Sequence, residues 1–193
     1  MKYTNRLKGS VTQSLVKSLL TDAGITVVPL GIEEVIREVS ALSLEKYLTL
    51  DLPSSLRELP DFFAVNSERT QSWLIEVKFR KTWNDVVRRE LGEKLIKQVM
   101  SWSPIYLVLF FGETPSIHYP DTPASWVRAG RLTIENDDLH IQCSHNLKRW
   151  SDIVWNDLVR IQDVFPELNA PERWDAEVIS STLKISKGLV DLT

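Results

Sequence analysis

Two short pieces of the chain carry residues able to do chemistry together. Pro60-Asp61 opens one apolar run and Glu76-Val77-Lys78 lies inside the next, both within LPDFFAVNSERTQSWLIEVKFR, residues 59–80. Strand side chains alternate faces, so Leu74, Glu76, Lys78 and Arg80 share one face while Trp73, Ile75, Val77 and Phe79 share the other. If strands over 59–65 and 73–79 form a hairpin about a turn near Arg69, residue n pairs with roughly 138 minus n. Asp61 then falls opposite Val77, flanked by Glu76 and Lys78, within a one-residue shift.

Two carboxylates and an ammonium gathered this way suit metal-assisted phosphodiester hydrolysis. Mg²⁺ or Mn²⁺ takes hard oxygen ligands, and Asp61 and Glu76 can hold one ion while leaving positions open for water and phosphate. The Val77 carbonyl is a candidate third ligand. Lys78 would orient or deprotonate the attacking water, or stabilise the transition state, and the residues alone leave these roles open. Glu-x-Lys on a half-solvated strand is also an ordinary sight, so the pairing with Pro60-Asp61 carries the argument.

The elements that must position these residues can be read from periodicity. A helix is expected over 10–23, with Val11, Leu15, Val16, Leu19 and Leu20 at helical spacing, Ser10 as N-cap and Gly24 past its end. A short strand follows in ITVVPL, then a second amphipathic helix marked by Ile32, Val35, Ile36 and Val39. The stretch YLTLDLPSSL alternates like a strand, yet its proline and serines suggest a loop. After the two site strands, Trp83, Val87, Leu91, Leu95, Val99 and Trp102 predict a helix closed before Pro104. IYLVLFF reads as a strand buried on both faces. RLTIENDDLHIQCS predicts a hairpin turning at 136–138, and Leu147, Trp150, Val154, Leu158, Ile161 and Phe165 predict a last long helix ended by Pro166.

The motif resembles that of the PD-(D/E)XK, or restriction-endonuclease-like, nuclease superfamily: Pro60-Asp61, a gap, then Glu76-Val77-Lys78, with apolar residues flanking both halves. The order helix, strand, strand, helix, strand over residues 8–112 is similar to that superfamily's common core. The resemblance implies an α/β fold, a mixed β-sheet flanked by helices, here with a C-terminal β-hairpin, helix and tail over 113–193 in one domain. It implies DNA as substrate, Asp61 and Glu76 as metal ligands and Lys78 as the catalytic lysine. The start, LKGSVTQSLVKSLLTDAGITVV, is similar to archaeal Holliday-junction resolvases, whose first helix bears a metal-associated Glu. Position 13 is Gln here. The alternatives are a one-metal site, a water-mediated contact, a ligand from Glu33 or Glu34, or an inactive relative. Gln13 would also complete a capping box with Ser10.

Arg80, Lys81, Arg88, Arg89, Lys94 and Lys97 form a locally positive segment after Lys78, fit for a phosphate backbone or equally for a solvated helix face with intrahelical pairs. Gln98 sits at the edge of that helix's buried stripe; a Gln in this helix recurs in several families of the superfamily, and a hydrogen-bonded helix-edge amide is the plainer reading. Of the seven tryptophans, Trp83, Trp102 and Trp150 fall on apolar stripes, leaving Trp126 and Trp174 for partner contacts.

Composition narrows the remaining classes. The 193 residues are 43% hydrophobic and 25% charged, with a net charge of -3, which fits one globular domain and gives no global attraction to nucleic acid. Cys143 alone excludes an intrachain disulfide, and its own reading is a small strand hydrophobe. His118, His140 and His145 are scattered, and no phosphate loop or Gly-x-Ser-x-Gly occurs, so zinc hydrolysis, a nucleotide cofactor and serine hydrolysis gain no support. No apolar run approaches the ~18 residues of a membrane span, and the N-terminus lacks a signal core, so a cytoplasmic protein is expected. The leading expectation is a Mg²⁺- or Mn²⁺-dependent DNA endonuclease. Its alternatives are a catalytically inactive nuclease-fold module that binds nucleic acid or protein, and a structural domain such as a homodimer joined through the C-terminal helix and tail.

Overall fold

The computed structural model describes residues 3–36, 39, 41–112, 127–144 and 146–169. Its frame is a mixed eight-stranded sheet flanked by helices. Helix α1 (Tyr3–Asp22) begins well before Ser10, which corrects the expected N-cap. No proline interrupts 3–9, Gly9 is accommodated within the helix, and Thr12 and Ser14 turn their hydroxyls onto the carbonyls of Lys8 and Ser10, both at 2.9 Å, as interior helical hydroxyls do. The helix ends as its glycine predicts. Gly24 takes φ +82, and N–H groups of Gly24 and Ile25 donate to the carbonyls of Thr21 and Leu20, both at 3.0 Å, the pattern of a glycine-terminated helix.

Strand β1 (Thr26–Pro29) pairs antiparallel with β2 (Phe62–Val65), and β2 pairs antiparallel with β3 (Ser72–Arg80). Among the described residues, the connection from β1 to β2 includes the short helices α2 (Ile32–Val35), α3 (Leu44–Thr49) and α4 (Ser54–Arg57). The helix expected to reach Val39 stops early because Ile36 leaves helical geometry, at φ -122 and ψ 86. The ambiguous YLTLDLPSSL is helical on both sides of Asp51. Ser43 caps α3 by accepting from the Lys46 N–H at 3.3 Å, and Pro53 stands just before α4, where its missing N–H costs nothing.

Helix α5 (Asp85–Trp102), capped by the Asn84 side chain, carries the chain from β3 to a parallel neighbour, β4 (Ile105–Phe111). β4 divides the core by its pleat. Val108 and Phe110 pack with α1 residues Val16, Leu19 and Leu20, while Ile105, Leu107, Leu109 and Phe111 pack with α5 residues Leu91, Leu95 and Val99. Burial on both faces explains why IYLVLFF is apolar throughout.

β5 (Val127–Glu135) and β6 (Asp138–Gln142) form the expected hairpin, with Asn136 and Asp137 at φ 51 and 64, the two positive values that a two-residue turn of this hand needs. The long helix expected over 147–165 is not formed. That stretch instead makes β7 (Leu147–Arg149), two 3-10 turns, β8 (Val159–Arg160) paired with β5, and the short α6 (Ile161–Val164). Two aspartates favour the broken path. Asp157 accepts the Val154 N–H at 2.9 Å and Asp163 the Arg160 N–H at 3.2 Å, local closures that compete with helix. The apolar spacing was real, but it served sheet and turns: Trp150, Leu158, Ile161 and Phe165 are all buried. Cys143, just after β6, is buried too. Trp126, Trp174 and the tail over 170–193 lie outside the described residues. No helix among the described residues is long and apolar enough to cross a membrane.

Candidate functional site

The register of the site hairpin decides what meets what. Phe62 pairs with Ile75 and Val65 with Ser72, one residue from the expected register, so Asp61 projects opposite Glu76 rather than Val77. The cause is the turn. Asn66 receives the N–H groups of Thr70 and Gln71 on its Oδ1, at 2.9 and 3.0 Å, and donates its own N–H to the Gln71 carbonyl at 3.1 Å. This closes a loop whose centre falls between Glu68 and Arg69, and Arg69 takes a positive φ of 57 to allow it.

Asp61 stands just before β2, where the chain has already turned away from β3 but still holds β1. Its carbonyl accepts from the Leu30 N–H at 2.9 Å. Its carboxylate is held from two sides: Oδ2 accepts the Val77 N–H at 2.7 Å, and Oδ1 accepts Nε2 of Gln13 at 2.7 Å. The capping box expected of Gln13 is therefore replaced by a contact from α1 into the site. Because β3 groups alternate direction, with the Arg80 carbonyl facing β4 through the Gly112 N–H at 2.9 Å, the Val77 N–H and carbonyl both face the edge that Asp61 occupies.

Glu76 is only 3% exposed, which a carboxylate tolerates when its oxygens have donors. Gln98, on the buried edge of α5, donates to Glu76 Oε2 at 2.6 Å and reaches the Leu59 carbonyl at 3.4 Å. Lys78 forms an ion pair with Glu76 Oε1 on the same strand face. Burial pushes the Lys78 ammonium below its ordinary value, with Arg80 and Lys94 pushing the same way, while Asp61 and Glu58 pull against them.

A cleft of about 770 Å³ exposes this cluster, lined among others by Asp61, Glu76, Lys78 and Gln98 on its floor and by Lys94 and Lys97 from α5. The other basic residues diverge. Arg80 turns its Nη1 to the Phe79 carbonyl at 2.7 Å, with burial lowering its guanidinium, and Lys81 is exposed beyond the strand end. Arg88 donates to the Ile153 carbonyl at 3.0 Å and pairs with Asp85 at 3.2 Å. Arg88 and Arg89 line a separate cavity with Arg149 and Trp150, because a helix of 3.6 residues per turn sends 88 and 89 to a different side from 94, 97 and 98. Glu34 is exposed, and the Glu33 side chain lies outside the described residues.

The donor set fits Mg²⁺ or Mn²⁺ as a partial cage. A carboxylate offers several lone pairs, and two carboxylates with one carbonyl suit an ion that retains water and takes substrate oxygens. Among the described residues no group of three or more His, Cys, Asp and Glu side chains gathers to hold a metal by itself. Sequence reasoning missed Tyr47, Arg57 and Glu58, which also line the cleft. Only the closeness of Glu58 to Asp61 could have marked them, since α3 and α4 are too short to leave a periodic signal. Compared with known proteins, the chain matches no family model, no curated protein and no solved structure.

Proposed function

We propose that the protein is a metal-dependent endonuclease that hydrolyses DNA phosphodiester bonds through Asp61, Glu76 and Lys78. The observation that carries this reading is their convergence, with Gln98, on the floor of one cleft. The mixed sheet, in which β2 and β3 are antiparallel and α5 leads to a parallel β4, is compatible with the restriction-endonuclease-like fold that the motif implies. Bound at Asp61, Glu76 and the Val77 carbonyl, Mg²⁺ or Mn²⁺ would supply Lewis acidity and a more acidic water. The Val77 N–H and Gln13 fix Asp61 in advance, and Gln98 fixes Glu76, so neither carboxylate must reorganise. Lys78, beside both carboxylates in the cleft, would orient the attacking water, whose oxygen bonds to phosphorus as the phosphorus–oxygen bond to the leaving strand breaks. The water's proton passes to solvent, and the leaving oxygen takes one up from solvent.

A second reading, an inactive module that binds nucleic acid, has one observation in its favour: the side chain touching Asp61 from α1 is an amide rather than an acid. Incubation of the purified protein with supercoiled, linear, single-stranded and branched DNA in Mg²⁺ or Mn²⁺ separates the two. Cleavage lost in Asp61→Ala and Lys78→Ala is the expected result. Cleavage that survives both substitutions overturns the site, and binding without cleavage under either metal favours the second reading.

A further inference from the structure

The cleft has walls as well as a floor, and the walls limit what can reach Glu76. Its volume, about 770 Å³, is that of a small-ligand pocket, roughly 300–1,000 Å³. One wall is α5 with Lys94 and Lys97; the other is the α3–α4 segment with Tyr47 and Arg57. The second wall is tied within itself and to α5. Arg57 donates to the Leu50 carbonyl at 2.6 Å and the Tyr47 carbonyl at 3.4 Å, closing the C-terminal end of α3, while Trp102 of α5 donates from Nε1 to the Ser55 carbonyl at 2.9 Å.

A duplex carries its phosphates on a stiff cylinder, whereas the Glu76 carboxylate between these walls is only 3% exposed. An unpaired strand can bend in. Recessed sites act on single strands or on nucleotides swung out of the stack for this reason. The walls also carry the groups that hold single strands, which are cations along the backbone and an aromatic surface for a base. Lys94 and Lys97 supply the first, and the half-buried Tyr47 ring, with the Arg57 guanidinium 4.8 Å from its centre, supplies the second.

We propose that the substrate of this cleft is an unpaired nucleic-acid strand, held by Lys94 and Lys97 through its phosphates and by Tyr47 through a base; this rests on the nuclease reading of the floor. Because Glu58 and Glu93 also line the cleft, attraction is local and few phosphates are neutralised. With two such contacts, log affinity falls against log salt with a slope of about -1.4.

The test is fluorescence anisotropy of the full chain in EDTA with a labelled short single-stranded DNA, the same sequence as RNA, and the DNA duplex, with cleavage assayed separately in Mg²⁺. A single strand of either sugar bound at least tenfold more tightly than duplex supports the proposal. So does a loss of about tenfold in Tyr47→Ala that Tyr47→Phe does not share. Duplex bound as tightly as either strand overturns it, as does Tyr47→Ala binding like the wild type. Strand preference without cleavage in Mg²⁺ supports this proposal while removing the catalytic one. Duplex cleavage abolished by Asp61→Ala, without strand preference, does the reverse.

Discussion

Gln13 and Asp61, 48 residues apart in the chain, share a 2.7 Å hydrogen bond from the amide Nε2 to the carboxylate Oδ1. The bond joins α1, packed on one face of the sheet, to the strand end where the site begins. A neutral donor orients Asp61 without cancelling its charge, while Lys78 pairs with Glu76. Gln13→Glu sets a third carboxylate against Asp61. In EDTA this variant is expected to lose about 1–2 kcal/mol, roughly 2–8 °C at this chain length, and to recover more of it on adding Mg²⁺ or Mn²⁺ than the wild type gains. Thermal unfolding with and without the ion is the measurement. Equal ionic gains in both proteins would mean that a carboxylate at position 13 takes no part in binding the ion.

Lys78 links stability to pH. Its folded-state value lies below 10.5, so between that lowered value and 10.5 the unfolded chain binds more protons than the folded one, and stability rises with pH. Below the lowered value both states are protonated and the penalty of the buried ammonium is fully present. Lys78→Met is expected to flatten this alkaline rise, read from urea midpoints across the range. The same variant should reduce cleavage by about 10²–10⁴ with little change in strand binding. An unchanged pH slope would show that Lys78 titrates in the folded protein as it does in water.

Gln98 serves Glu76 as Gln13 serves Asp61, but in a drier place. Gln98→Ala removes the donor from Glu76 Oε2 where the carboxylate is 3% exposed, and the expected cost is about 1.5–3 kcal/mol. Chemical denaturation measures it. A change below about 0.5 kcal/mol would mean that water replaces the amide, and hence that the cleft floor is wetter than its burial indicates.

Gly92 is required by a packing contact on the far side of α5. A Cβ there would come within 2.6 Å of Trp150 Cδ1 and 2.7 Å of its Nε1, and the indole cannot easily retreat because its Nε1 donates to the Arg88 carbonyl at 2.8 Å. Ordinarily Gly→Ala in a helix stabilises by about 1 kcal/mol. Here overpacking is expected to reverse the sign and destabilise by about 1–3 kcal/mol, seen as a lower Tm. A Tm equal to or above that of the wild type would show that Trp150 moves aside freely.

Much of the frame was legible because local chemistry marks it. Gly24 ended α1, Asn136 and Asp137 turned the β5–β6 hairpin, and the unbroken apolar run of β4 announced burial on two faces. The carboxylate–lysine motif was legible for the same reason, since strand alternation sets Glu76 and Lys78 on one side whatever the rest of the chain does. The segment over 147–165 was not legible. Its apolar residues recur at a helical interval, and only pairing of β8 with β5 and closures by Asp157 and Asp163 reveal that the interval serves turns.

The sequence by itself determined strands β1 to β6, helices α1 and α5, and the presence of Asp61, Glu76 and Lys78 on neighbouring segments, because period, turn chemistry and alternation act over a few residues. Only the tertiary structure decided the register that sets Asp61 opposite Glu76, the turning of Gln13 and Gln98 onto the two carboxylates, and the walls that Tyr47 and Arg57 raise around them. These contacts join segments up to 48 residues apart, and their partners are selected by how α1 and α5 pack on opposite faces of the sheet, which local propensity does not encode.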